Sequence, residues 1–292
     1  MTPELLATCW TSAGDVMPLR TGDRSPIGIE RRVAAVASAG YSGMGLNHAD
    51  LVAARDEIGL PRLAELLSAH GLHHVELELI DYWWETGPRR ETSDRVRADL
   101  LDAARVLDID QIKVAAGSAG DTYDPGTLRE SFAALADDAR AAGTRIALEP
   151  CAFSSMPSLE PAVALVTDVD HPQAGLLLDI WHIFRSGMDY ATMADLVPAD
   201  KLFAVELNDG AREQVGTGLE DTFDNRMLCG QGDFDVAGFI DAVRRIGYPG
   251  PWGVEIMSHH HRALDPETAL SQAFQTAADC LIATRAQAGR TS

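Results

Sequence analysis

Short runs of β-branched and aliphatic residues alternate along the chain with longer stretches whose apolar side chains recur at helical spacing. The β-prone runs lie near residues 5–10, 41–46, 72–80, 110–115, 144–149, 174–179, 201–207 and 251–256. The stretches with helical periodicity, rich in Ala, Leu, Arg and Asp, lie near 28–39, 49–69, 91–108, 124–142, 158–168, 188–197, 234–246 and 266–287. Strands that alternate with amphipathic helices predict parallel pairing, since each crossover returns the chain to the same end of the sheet. Eight of each is the count of a closed (β/α)8 TIM barrel, an α/β fold taken here as one domain over residues 1–292. The competing doubly wound sheet requires a glycine-rich phosphate loop after an early strand. GMG at 43–45 and GSAG at 117–120 do not supply its GxGxxG pattern.

Local punctuation agrees with this division. Pro61, Pro125, Pro161 and Pro266 fall where helices would begin or be interrupted. Gly40, Gly71, Gly143 and Gly247 fall at expected helix C-caps, each leading toward the next strand. Two connections are long: Ile80 to about Arg90, and Asn208 to about Asp233. Both follow strands, so both are expected over the barrel face that carries active sites.

Four of the later apolar runs stop at a carboxylate: RIALEP at Glu149, GLLLDIWH at Asp179, LFAVELNDG at Glu206 and PWGVEIMS at Glu255. Parallel strands end on one face of a barrel, so the four acids are expected to converge there. Converging carboxylates repel one another unless a divalent cation neutralises them. Glu149, Asp179, Glu206 and Glu255 are therefore candidate metal ligands. An all-oxygen set suits Mn2+ first, with Mg2+ or Co2+ as alternatives, better than a structural zinc.

Composition narrows the function classes. A chain of 292 residues with 46% hydrophobic content can bury one large core. Its net charge of -20 argues against a nucleic-acid partner and against an anionic membrane surface. The four cysteines, Cys9, Cys151, Cys229 and Cys280, are widely spaced and expected to be reduced thiols of a cytoplasmic protein. No basic region followed by an apolar core opens the chain, and no apolar run reaches membrane-spanning length.

The segment from about 144 to 256 resembles the xylose-isomerase-like TIM barrels. LEPCAFSSMPSLEPAVALV, LLLDIWHIFRSG, VELNDG and GYPGPWGVEIMS follow one another in that family's order and spacing. The family includes sugar-phosphate isomerases and epimerases, ketose 3-epimerases, inosose dehydratase and 3-dehydroshikimate dehydratase. The resemblance implies one divalent cation held by Glu149, Asp179, Glu206 and Glu255. Glu206 departs from the family, which usually has His or Gln there, and implies a harder, more oxygen-rich site. In the DIWHIFR signature, the resemblance implies that His182 touches a substrate oxygen and that Arg185 contacts substrate or braces its loop. Arg226, before LCGQGDFD, resembles an arginine of the dehydratase-like branch and is a candidate for a substrate carboxylate, phosphate or hydroxyl.

Other candidate substrate-binding residues come from position alone. Asn47 and His48 follow the second strand, and Glu78 lies at the end of the third. Lys113, within the fourth, needs a carboxylate partner if it points inward. Trp83, with Trp84 and Trp10, is a candidate apolar wall for a sugar ring. His259, His260 and His261 follow the last strand and are expected to be loop imidazoles.

A dication beside two glutamates suits proton abstraction next to a carbonyl, with Glu149 and Glu255 as the catalytic pair. Proton return gives epimerisation or isomerisation, and loss of a β-substituent gives elimination. The expected substrate is a keto-sugar, ketose or keto-cyclitol. One alternative is the large subunit of a C-deglycosidase acting on 3-keto-glycosides with a small accessory subunit. A homo-oligomer, an endonuclease IV-type enzyme and a non-catalytic sugar-binding barrel complete the alternatives. The charge of -20 weighs against the endonuclease.

Overall fold

The computed structural model describes residues 3–20 and 22–291, with side chains as far as Arg285. Eight parallel strands close into a barrel in sequential order. They are β1 Leu5–Ala7, β2 Gly43–Asn47, β3 His74–Ile80, β4 Gln111–Val114, β5 Ile146–Leu148, β6 Ala174–Asp179, β7 Leu202–Leu207 and β8 Trp252–Val254. Each β-prone run overlaps one of them. Closure is direct: β1 pairs with β8 through Leu5–Trp252, Leu6–Gly253 and Ala7–Val254.

The helices follow the expected pattern with one division. The stretch 49–69 forms two helices, His48–Glu57 and Leu60–Ala69. Gly59 between them has φ +83, a left-handed conformation that a continuous helix cannot contain. Four short helices not expected from periodicity, Cys9–Ser12, Ile180–Arg185, Gly218–Asp224 and His259–Arg262, follow β1, β6, β7 and β8. At four to seven residues they are too short to display a period.

Two apolar layers differ sharply in size. The large core lies between strands and helices and includes Val33, Leu46, Leu77, Ile112, Leu148, Leu178 and Phe239. A second cluster contains only Ala147, Leu177, Phe203 and Ala204. Ala147, Leu177 and Ala204 each lie two residues before one of the candidate acids. Side chains alternate across a strand, so this cluster lines the barrel interior beneath the acids. The rest of that interior is largely polar: Glu76, Glu78, Gln111 and Lys113 are all buried.

Candidate active site

Strand ends bring the four acids together. Asp179 ends β6 and Glu206 is the penultimate residue of β7, while Glu149 and Glu255 directly follow β5 and β8. Each offers an oxygen such that all four atoms lie within 4.8 Å of one another. A second group, Glu149, Asp179 and His182, meets the same limit. Asp179, Glu206 and Glu255 are buried, whereas the Glu149 side chain keeps 14% exposure toward solvent.

Room for this arrangement comes from a glycine. A Cβ on Gly253 would stand 2.7 Å from the Val205 carbonyl and 2.9 Å from Glu206 Cγ. Only a bare backbone on β8 lets Glu206 lie across the barrel mouth.

Two buried cations hold the acids in place. Lys113 lies at the centre of the interior, with Nζ 3.1 Å from Glu255, 3.6 Å from Glu78 and 3.9 Å from Glu76. It also pairs with Glu206. Arg226 is 1% exposed, and its Nη1 donates to Asp179 Oδ2 at 2.5 Å and Glu255 Oε2 at 3.0 Å. Its Nε donates to the Thr222 carbonyl and its Nη2 to Thr222 Oγ1. The backbone explains its position. Asp209 and Met227 form an antiparallel bridge, Asn225 bridges Ser258, and the Arg226 N–H donates to the Met257 carbonyl. The long connection after β7 is thereby folded back over the mouth. The Asp209 carboxylate fixes the turn by accepting from the N–H groups of Gly210, Gly230 and Phe234.

Asp179 is anchored on both oxygens, since Oδ1 accepts from the Trp181 N–H and from Asn208 Nδ2. The Glu206 carboxylate, by contrast, is buried with Oε1 against Lys113 Nζ alone and Oε2 without a partner. Burial and the neighbouring Glu255 hold its pKa well above the carboxylate range. Glu149 is pushed up to about 8 by burial, with Glu255 and Asp179 adding to the rise and Lys113 opposing it. His182 is pushed down to about 3 by burial and by Arg226, which leaves the imidazole neutral. Its Nδ1 accepts from the Ala152 N–H, so the ring N–H is on Nε2, 3.5 Å from Glu149 Oε1.

These donors fit a divalent cation. Four convergent carboxylates, with Glu206 Oε2 buried and without a partner, form a hard, oxygen-rich set. Lys113 and Arg226 offset two of the four negative charges, and a dication offsets the other two.

The remaining candidate residues divide between the interior and other duties. Glu78 belongs to the cluster, one oxygen near Lys113 and the other accepting from Trp10 Nε1 at 3.2 Å. Trp83 lies in the outer core rather than on the cleft wall. It is 1% exposed, its Nε1 donates to the Ala115 carbonyl, and its ring packs on Trp84 and Phe132. Asn47 caps the following helix through the Asp50 N–H and donates to the Asp23 carbonyl. His48 pairs with Asp99 on the helix Pro88–Leu107. Arg185 braces the loop, donating to Asp221 and to the carbonyls of Ala211 and Arg212. Glu76, Gln111, Asn208 and Gly253 were not expected at the site. Their signal is strand parity relative to Lys113 and the four acids.

Comparison with known proteins gives a consistent result. A family model described as xylose isomerase-like TIM barrel matches residues 33–280, and the chain belongs to this family. A 3-dehydroshikimate dehydratase of Pseudomonas aeruginosa is 32% identical over 242 residues, 80% of this chain. The chain spans only 37% of that protein's length. An inosose isomerase of Bacillus subtilis is 28% identical over 150 residues, half of this chain and 51% of its own length. The solved structure of an IOLI protein with a bound zinc atom superposes with a TM-score of 0.79 at 18% identity. It covers 96% of this chain and 99% of its own, a likeness of fold.

Proposed function

We propose that this xylose isomerase-like barrel is a divalent-metal-dependent enzyme that enolises a keto-sugar, ketose or keto-cyclitol. The observation that carries the reading is the convergent carboxylate quartet, with Glu206 Oε2 buried and unpartnered and with Lys113 and Arg226 set to neutralise half of the charge. Glu149, Asp179, Glu206 and Glu255 would hold the ion, Mn2+ first and Mg2+ or Co2+ as alternatives. When bound, it supplies Lewis acidity at a substrate carbonyl or hydroxyl oxygen.

The chain's own residues supply the proton traffic. Glu149 is the acid of the quartet open to solvent, which places it to take a proton from substrate and return it. Glu255 faces it from β8, fixed on one oxygen by Lys113 and on the other by Arg226. In this reading Glu149 takes the proton next to the carbonyl, and Glu255 serves the opposite face of the substrate. The neutral His182 offers its Nε2–H to a substrate oxygen. The buried Trp181 ring packs beside Arg226 and Phe153 and would keep water from that side of the site. The names of the relatives support two fates for an enolised substrate: elimination, as in a dehydratase, and proton return, as in an isomerase.

The test is metal content together with proton exchange. About one dication per chain is expected, lost in Glu149→Ala and Glu255→Ala, with metal-dependent deuterium uptake into a keto-cyclitol or ketose. A protein that takes up no metal after soaking in Mn2+ sinks the reading.

A further inference from the structure

We infer that the site selects an uncharged polyhydroxylated ketone and discriminates against carboxylated or phosphorylated ones. This rests on the enolising reading above and names its substrate class.

The buried cations that an anionic substrate would need are committed to the protein. Arg226 spends Nη1 on Asp179 and Glu255, and Nε and Nη2 on Thr222. Lys113 is 1% exposed and has a carboxylate on four sides. The Arg185 guanidinium donates to Asp221, Ala211 and Arg212, with Trp181, Phe184 and Phe234 rings 5.3–5.4 Å away. His182 accepts a backbone N–H on Nδ1, which fixes it as a neutral donor.

The charge of the cluster points the same way. Six acids, Glu76, Glu78, Glu149, Asp179, Glu206 and Glu255, share the interior and mouth with only two cations, Lys113 and Arg226. The chain as a whole has a net charge of -20, these groups included. A second anion entering this mouth meets repulsion that no described side chain of the cluster relieves. A neutral polyol meets a wall of acceptors instead. The Glu149 carboxylate accepts no hydrogen bond from Lys or Arg, and Glu206 Oε2 and Asn208 Oδ1 are buried without a partner. Substrate hydroxyls supply the donors that such a wall lacks. By this argument the chain differs in substrate charge from a 3-dehydroshikimate dehydratase, whose substrate is a carboxylate.

The test uses the Mn2+-loaded full chain and two pairs of probes. The reactive pair is an inosose and 3-dehydroshikimate, followed by deuterium uptake and turnover. The unreactive pair is myo-inositol and shikimate, followed by calorimetric binding at low and high salt. The inosose is expected to exchange at least about tenfold faster than 3-dehydroshikimate, and myo-inositol to bind at least about tenfold tighter than shikimate. Salt should narrow both gaps. Inositol preferred with no exchange in either ketone leaves the inference standing and sinks the enolising reading. Shikimate preferred, or neither polyol bound, overturns the inference. In the former case Arg212→Ala tests whether the exposed arginine of the long connection supplies the missing cation.

Discussion

Lys113→Met is the most informative single perturbation of the barrel. The side chain is 1% exposed and nearly isosteric with methionine, so the change removes charge and little volume. At an effective dielectric of about 20, its attraction to Glu255 at 3.1 Å is about 5 kcal/mol. Glu78 at 3.6 Å and Glu76 at 3.9 Å contribute about 5 and about 4 kcal/mol by the same measure. Burying the ammonium costs several kcal/mol in return, and carboxylates left behind will take up protons. The net cost of removing one partner of a buried pair is about 3–5 kcal/mol. In EDTA, the variant should melt roughly 6–20 °C below the parent. The same deletion makes the mouth one unit more negative, so Mn2+ should bind more tightly and raise the melting temperature further than in the parent. Lys113→Met/Glu206→Gln removes both members of one pair and should recover much of the EDTA-state loss while weakening Mn2+ binding. Thermal melts by circular dichroism with and without Mn2+, and calorimetric titration of the ion, read all three quantities. A variant that melts with the parent in EDTA, or that folds and binds Mn2+ more weakly, refutes the assignment of Lys113 as counter-charge to the quartet.

Other perturbations separate the remaining roles. Arg226→Met should lower Mn2+ affinity about 10–100-fold by releasing Asp179 and Glu255, with Arg226→Lys intermediate because one ammonium cannot reproduce the fork; unchanged affinity in both would remove it as a positioning residue. Burial holds Glu149 at about 8 and Glu76 at about 7 against 4.5 in the unfolded chain, so the native metal-free state binds more protons in that interval. The associated stability is present below pH 4.5 and lost as pH rises toward 8, at roughly 1.4 kcal/mol per pH unit per retained proton. EDTA-treated protein should therefore melt lower at pH 8 than at pH 5.5, Mn2+ should close the gap while releasing protons, and Glu149→Gln should flatten the slope; a melting temperature that rises across the window contradicts this. Gly253→Val should displace Glu206 and abolish metal retention on a folded chain, detected by metal analysis beside a normal circular dichroism spectrum. Trp83→Phe should cost stability through the lost Ala115 hydrogen bond while leaving KM unchanged, and a raised KM would return Trp83 to the substrate wall.

Much of this was legible in the residue pattern, and the failures have specific causes. Gly40, Gly71, Gly143 and Gly247 lead into four of the eight strands, and the strands differ in period from the helices, so both could be located. The four acids stood out because a carboxylate ends an apolar run at the same relative place in each unit. Asn47 ends β2 and His48 follows it, a matching place in the unit, yet their side chains are spent on a helix cap and on Asp99. Position along a strand places a residue at the mouth, but side-chain direction decides whether it enters. Trp83 was misread for a related reason: an aromatic after a strand is as well suited to the layer under the helices as to the cleft. The role of Arg226 was invisible because it depends on the Asp209–Met227 and Asn225–Ser258 bridges, contacts between segments with no local signal. Glu76 and Gln111 look like ordinary polar strand residues until Lys113 is known to point inward.

The division of the two apolar layers explains how the fold tolerates this interior. A TIM barrel usually fills its centre with branched aliphatic side chains. Here that layer shrinks to Ala147, Leu177, Phe203 and Ala204, and six carboxylates and two cations occupy much of the remaining axis and mouth. Buried ion networks contribute little net stability compared with apolar packing of the same volume. The stabilising burial must then lie in the layer between strands and helices, where Leu46, Leu77, Ile112, Leu148, Leu178 and Phe239 are almost fully buried. Leu178→Ala, in that layer, should cost about 2–5 kcal/mol with or without Mn2+. Leu177→Ala, one residue away and inside the barrel, should also disturb the floor beneath Asp179 and lower metal affinity. Equal metal affinity in the two variants would mean that the interior floor does not position the acids, and that Lys113 and Arg226 alone do.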